Sequence, residues 1–153
     1  MKPLIDNSLY KIIHKNMPIV CADVVLKITE EKFIMVKRKK EPAKGAWWLP
    51  GGRVFKNESL ISAAKRKVFE ETSLTIESLE KIVDGYELFF NKDPFNHNNG
   101  THTVSTCFLA EVRNQGAISL DKYHSKFKVF SHYNEDWHPY LKNCFKNAGF
   151  ISI

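Results

Sequence analysis

The sequence predicts a mixed fold of the α/β (α+β) class, an α/β/α sandwich on a mixed sheet. Three observations carry this expectation. Ile19 to Ile28 is rich in β-branched residues and reads as a buried strand, and Phe33 to Arg38 returns from it across the turn KITEEK. Leu60, Ile61, Ala64 and Val68, with Phe69 beside them, form an apolar stripe at helical spacing. Further strand-like segments follow with only a few flanking helices, which argues against a doubly wound sheet of βαβ units.

The elements follow in order. Ser8 to Lys15 reads as a short helix, with Ser8 as cap, Leu9, Ile12 and Ile13 on one face, and Pro18 beyond its end. After the hairpin comes KKEPAKGAWWLPGG, a loop with two prolines and three glycines, whose tryptophans pack or flank a ligand. Asn57 to Thr72 is the best helix, with Asn57 as cap and Glu58 at the positive end of the dipole. Strands are expected near Ile82–Phe90, Thr103–Val112 and Lys126–Phe130, with the polar loop NKDPFNHNNG between the first two. Glu135 to Asn147, with Trp137, Tyr140, Leu141 and Phe145, reads as a closing helix.

A chain of 153 residues with 43% hydrophobic and 26% charged residues suits one globular domain spanning 1–153. Its formal net charge of +6 favours anionic partners, either phosphate-bearing small molecules or nucleic acid. The lysines are scattered rather than striped with aromatics, so no nucleic-acid partner is expected. The three cysteines, Cys21, Cys107 and Cys144, form no CxxC pair and read as reduced thiols of a cytoplasmic protein. No segment approaches the roughly 18 apolar residues a membrane span needs, and no signal peptide is evident.

The chemistry concentrates in GGRVFKNESLISAAKRKVFEETSL. Lys67, Glu70 and Glu71 stand at i, i+3 and i+4 and share one helical face. Carboxylates in that arrangement beside a Gly-rich loop make a hard oxygen site suited to Mg²⁺ or Mn²⁺. Gly51 and Gly52 let the backbone, including a carbonyl ligand, approach the metal. Arg53 and Arg66 add fixed positive charge able to grip phosphate oxygens. A helix ending in two glutamates is, by itself, more often just a solvated face.

The wider spacing decides against that bland reading. Gly52, five residues, Glu58, seven residues, Arg66, then Val68, Glu70, Glu71 and Leu74 resembles the Nudix box, in which G, five residues, E and seven residues precede REUxEExGU. Seven of the nine defined positions match; Lys67 replaces a Glu and Ser73 replaces the Gly. The resemblance implies a Nudix-type fold along nearly the whole chain and Mg²⁺-dependent hydrolysis of a nucleoside diphosphate derivative, with Mn²⁺ as a substitute. Ser73 would take the left-handed position that ends the helix, at about 1 kcal/mol. Lys67 disfavours a cluster of two or three metals, and either pairs with Glu71 or points into solvent.

Within the family, the stretch RKKEPAKGAWWLPGGRV is similar to the GDP-mannose mannosyl hydrolase branch. That resemblance implies one Mg²⁺, water attack at the anomeric carbon of a nucleotide sugar, and a homodimer. It assigns catalytic or binding roles to Asp23, Arg38, Arg53 and Arg66, and metal binding to Gly51 and Glu71, with Glu70 beside them. It places the general base at His124, just before a late strand. His97 and His102 are weaker candidates in a loop that could close over substrate, with His102 as a possible substrate contact. His14, His132 and His138 read as surface or packing residues. The chain departs from the branch at Leu88, Thr103 and Tyr123. Alternatives are a plain pyrophosphohydrolase acting at phosphorus, which would require both Glu70 and Glu71, and a module that binds a nucleotide sugar without turnover.

Overall fold

The computed structural model describes residues 5–113 and 124–153, with the side chains of 124 and 125 outside the description. Its elements are α1 (Asn7–Asn16), β1 (Ile19–Thr29), β2 (Lys32–Arg38), β3 (Trp47–Trp48), β4 (Gly51–Arg53), α2 (Leu60–Thr72), β5 (Glu80–Phe90), β6 (Thr101–Glu111), β7 (His124–Phe130) and α3 (Pro139–Asn147). The sheet runs β3-β2-β1-β6-β5, with β4 added to β1 and β7 added to β2. The β1–β6 pairing is parallel and the others are antiparallel, so the sheet is mixed, as expected.

Strand alternation makes the sandwich. Val25, Phe33 and Met35 point to one side and pack with Tyr140, Leu141 and Phe145 of α3. Ala22, Val24, Leu26 and Ile34 point to the other side and pack with Ala63, Ala64 and Val68 of α2. The period of two along β1 and β2 therefore separates two cores, one under each helix. Among the described residues no helix is long and apolar enough to cross a membrane.

Several boundaries differ from the sequence expectation, each for a local reason. Helix α1 is capped by Asp6, whose Oδ1 accepts from the Leu9 amide at 2.9 Å and from the Ser8 hydroxyl at 2.6 Å. Ser59, not Asn57, caps α2 by accepting from the Ser62 amide at 3.0 Å. Asn57 instead takes a left-handed turn position at φ 64°. Helix α2 ends at Ser73 with φ 64° and ψ 9°, the left-handed cap that the family's glycine would occupy. Helix α3 begins only at Pro139, with His138 as cap; Trp137 lies outside it, against Phe130 and Phe145. The Trp-Pro-Gly loop contains β3 and β4, too short to announce themselves by periodicity.

Candidate active site

Strand β1 builds the site by changing partners along its length. Its later residues pair with β2, while Cys21, Ala22 and Asp23 pair with Arg53, Gly52 and Gly51 of β4. This register sets Gly51 directly against Asp23. A Cβ on Gly51 would collide with the Asp23 carboxylate, so only glycine permits the approach. The Gly51 amide donates to Glu71 Oε2 at 3.1 Å, which ties β4 to the last turn of α2. Two strands and one helix thus converge on a cleft of about 960 Å³.

Asp23 is 6% exposed and accepts from the Tyr140 hydroxyl at 2.6 Å. Burial pushes its carboxyl up to about 6, against the opposing pull of the Tyr140 hydrogen bond and the charges of Arg38 and Lys67. Arg38 lines the cleft and donates from Nε to the Pro42 carbonyl at 2.8 Å, which orients its guanidinium. Arg53 lies over the Tyr10 ring at 3.8 Å and 5.4 Å from the Phe55 ring centre. Helix α1 thereby contributes a wall of the cleft.

Arg66 has a different setting from the phosphate grip read from the sequence. Its Nε and Nη2 reach the two oxygens of Glu58 at 2.7 and 3.0 Å. Its Nη2 also donates to the Arg53 carbonyl at 2.9 Å, and its Nη1 reaches Glu70 at 3.1 Å. The Glu58 side chain is 1% exposed and accepts from the Phe55 amide at 2.9 Å. A guanidinium so committed fixes β4 against α2.

Lys67 resolves the choice left open above, because it pairs rather than pointing into solvent. Its ammonium lies 3.1 Å from Glu71 Oε1 and 3.4 Å from Glu70 Oε2, with the side chain 17% exposed. Glu71 itself is buried. Gly51, Glu70 and Glu71 offer hard oxygens of the kind a divalent cation takes, around the place that the Lys67 ammonium holds. Among the described residues no group of three or more His, Cys, Asp and Glu side chains is arranged to hold a metal ion.

The histidines sort by strand geometry. His124 opens β7 opposite Arg38, which brings its backbone to the cleft's edge rather than into a loop; its side chain lies outside the described residues, as does Tyr123. Thr101, Thr103 and Ser105 face the cleft, so His102, between them on β6, faces away and stacks on Phe89 at 4.4 Å. His102 is thus not a substrate contact of this cleft. His97 is held 2.7 Å from His14 and 3.3 Å from Asp93 in a buried cluster beneath α1. Leu88 and Thr103 line the cleft where the branch carries polar groups.

Three contributors had little signal in the sequence. Tyr140, Tyr10 and the Glu58–Arg66 link reach the site only through tertiary packing. Glu58 and Arg66 were each marked beforehand by their places in the box spacing, but their contact was not.

A NUDIX domain model matches residues 17–143. The chain is 31% identical over 138 residues to the low-salt glycan biosynthesis protein Agl8 of Haloferax volcanii, covering 90% of this chain and 86% of that one. It is 32% identical over 95 residues to an ADP-ribose pyrophosphatase of Methanocaldococcus jannaschii, covering 62% of this chain and 52% of that protein. Among solved structures, a MutT NUDIX hydrolase from Burkholderia pseudomallei superposes with TM-score 0.61 at 24% identity over 76% of this chain and 84% of its own. The NUDIX domain of Shewanella oneidensis NrtR, solved with ADP-ribose, gives 0.57 at 22% identity over 83% and 84% of the two chains. With the box helix, its glycine-bearing strand and the surrounding sandwich in place, the chain belongs to the Nudix hydrolase family.

Proposed function

We propose that the protein hydrolyses a nucleoside-diphosphate sugar of the GDP-mannose or GDP-glucose type by water attack at the anomeric carbon. The observation that carries this reading is the Lys67–Glu71 ion pair at 3.1 Å. It puts a cation where the box consensus has a carboxylate, and so removes an acidic side chain that chemistry at phosphorus would draw on. The glycan-related Agl8 likeness and the PAKGAWWLPGGRV stretch support the same reading.

The residues divide the work by charge. Gly51 and Glu71, with Glu70 beside them, would hold the divalent metal. A bound Mg²⁺ or Mn²⁺ supplies neutralisation of the leaving diphosphate. Arg38 and Arg53 add fixed positive charge on the same cleft, worth most where water is excluded. Asp23 and its Tyr140 hydrogen bond orient the polar floor. His124 takes a proton from water as the water oxygen bonds to the anomeric carbon. The bond from that carbon to the diphosphate oxygen breaks, and the nucleoside diphosphate leaves with the electron pair. A single displacement of this kind inverts the sugar.

A second reading is hydrolysis at phosphorus. Glu70 and Glu71 both line the cleft, and the Methanocaldococcus relative is an ADP-ribose pyrophosphatase. Product analysis separates the two. GDP and free sugar are expected from GDP-mannose, with a loss of about 10²–10⁴-fold in His124→Gln, the usual span for a general base. GMP and sugar phosphate, with His124→Gln indifferent, would establish the second reading.

A further inference from the structure

We infer that the Lys67 ammonium acts as an internal cation that takes the place of a second metal ion and engages the substrate's diphosphate. The inference rests on the reading of the cleft as a diphosphate site. It goes beyond that reading by assigning a ligand-binding role to a residue that departs from the box.

Three observations lead to it. The lysine stem crosses the face of Gly52, where an added Cβ would lie 2.6 Å from Lys67 Cε. Glycine at that position therefore gives the side chain its path into the cleft. The ammonium reaches Glu71 and Glu70, the same carboxylates that would hold the metal. The three arginines of the cleft are held differently: Arg66 is engaged by Glu58, Glu70 and a carbonyl, Arg38 donates to the Pro42 carbonyl, and Arg53 is stacked on Tyr10.

Competition follows from this geometry. A divalent cation on Glu71 and the Lys67 ammonium seek the same oxygen, so metal entry weakens the ion pair. Lys67 has a flexible four-carbon stem and three rotatable donors, unlike the rigid guanidinium fork of its neighbours. Once displaced, it remains in a cleft where the diphosphate is the nearest new source of negative charge. Metal and diphosphate are then linked through one side chain, and such linkage must be reciprocal. The arrangement also explains how the site works with two carboxylates: one positive charge is supplied by the chain itself.

The test uses Mn²⁺ alone, and inorganic pyrophosphate both with Mn²⁺ present and in EDTA, titrated into the full chain by calorimetry. Lys67→Met should bind Mn²⁺ more tightly than the wild type, because Glu71 is released. With Mn²⁺ present it should bind pyrophosphate more weakly, because an anion partner is lost. Each shift should be about 5-fold or more, the lower end of typical coupling between sites. Lys67→Arg should keep most of the pyrophosphate affinity, and Lys67→Gln repeats the comparison if the methionine variant unfolds. Opposite shifts are the signature of a surrogate cation, since a merely structural lysine would weaken both or neither. Unchanged constants, or shifts in the same direction, would overturn the inference while leaving the proposed reaction intact. Wild-type protein that binds no pyrophosphate with or without Mn²⁺ would instead overturn the diphosphate reading on which both stand.

Discussion

Asp23 illustrates how a site residue can work against stability. Its carboxyl titrates near 6 rather than 3.8, because burial penalises the charge more than Tyr140, Arg38 and Lys67 favour it. A raised carboxyl contributes stability that is fully present below the unfolded pKa and is lost as pH rises through the folded one. The relevant window runs from about 3.8 to about 6. At one unit per 1.36 kcal/mol, the ionised form costs about 2 to 3 kcal/mol above that window. Asp23→Asn keeps an acceptor for the Tyr140 hydroxyl and carries no charge. The metal-free variant should therefore melt several degrees above the wild type at pH 8, at roughly 2–4 °C per kcal/mol, and nearly level with it at pH 4. Its hydrolytic activity should fall. A melting difference independent of pH would show that charge burial at Asp23 is not the cause.

At the scale of elements, α1 is tied down by side chains that single-sequence patterning treats as filler. His14 is buried, and its Nδ1 lies 2.7 Å from His97 Nε2. His97 Nδ1 accepts from the Asn99 amide at 3.1 Å, and Tyr10 and Phe95, in contact with each other, both pack edge-on against His14. Asp93 is the acidic group facing the pair and Asn99 Nδ2 bonds the Lys15 carbonyl, so loop and helix hold one another. Burial, then the neighbouring His97, lowers the His14 pKa below its ordinary 6.5. A histidine depressed in the fold contributes stability present above 6.5 and lost as pH falls through the folded value. The fall in melting temperature between pH 7 and pH 5 should therefore be smaller in His14→Gln than in the wild type. Equal falls in both would remove His14 as the responsible group. Because Tyr10 of the same helix stacks on Arg53, acid loosening of α1 should also weaken substrate binding.

At the scale of the molecule, what the sequence made legible follows the strength of local periodicity. The β1–β2 hairpin, α2 and the three later strands stand out because long runs of β-branched or helically spaced residues leave little choice of state. The Lys67–Glu71 contact was open to reading because i, i+4 neighbours meet whatever the fold. The parallel β1–β6 pairing was not, since register between distant strands is set by the packing of both sheet faces. Tyr140 reaches Asp23 across 117 positions of sequence, and Arg66 is engaged by Glu58 at the cleft wall; neither contact has a local signature. His102 was read as a loop residue before a strand starting at Thr103; the strand begins at Thr101, and alternation along it turns the His102 side chain to the other face of the sheet.

The central claim is that the box of this family member, with Lys67 in place of a glutamate, serves departure of an intact nucleoside diphosphate rather than attack on it. Hydrolysis of GDP-mannose in ¹⁸O-labelled water, followed by mass spectrometry of the products, tests this most directly. The account predicts one ¹⁸O on the released sugar and none on GDP. Label in GMP or in a sugar phosphate would contradict it.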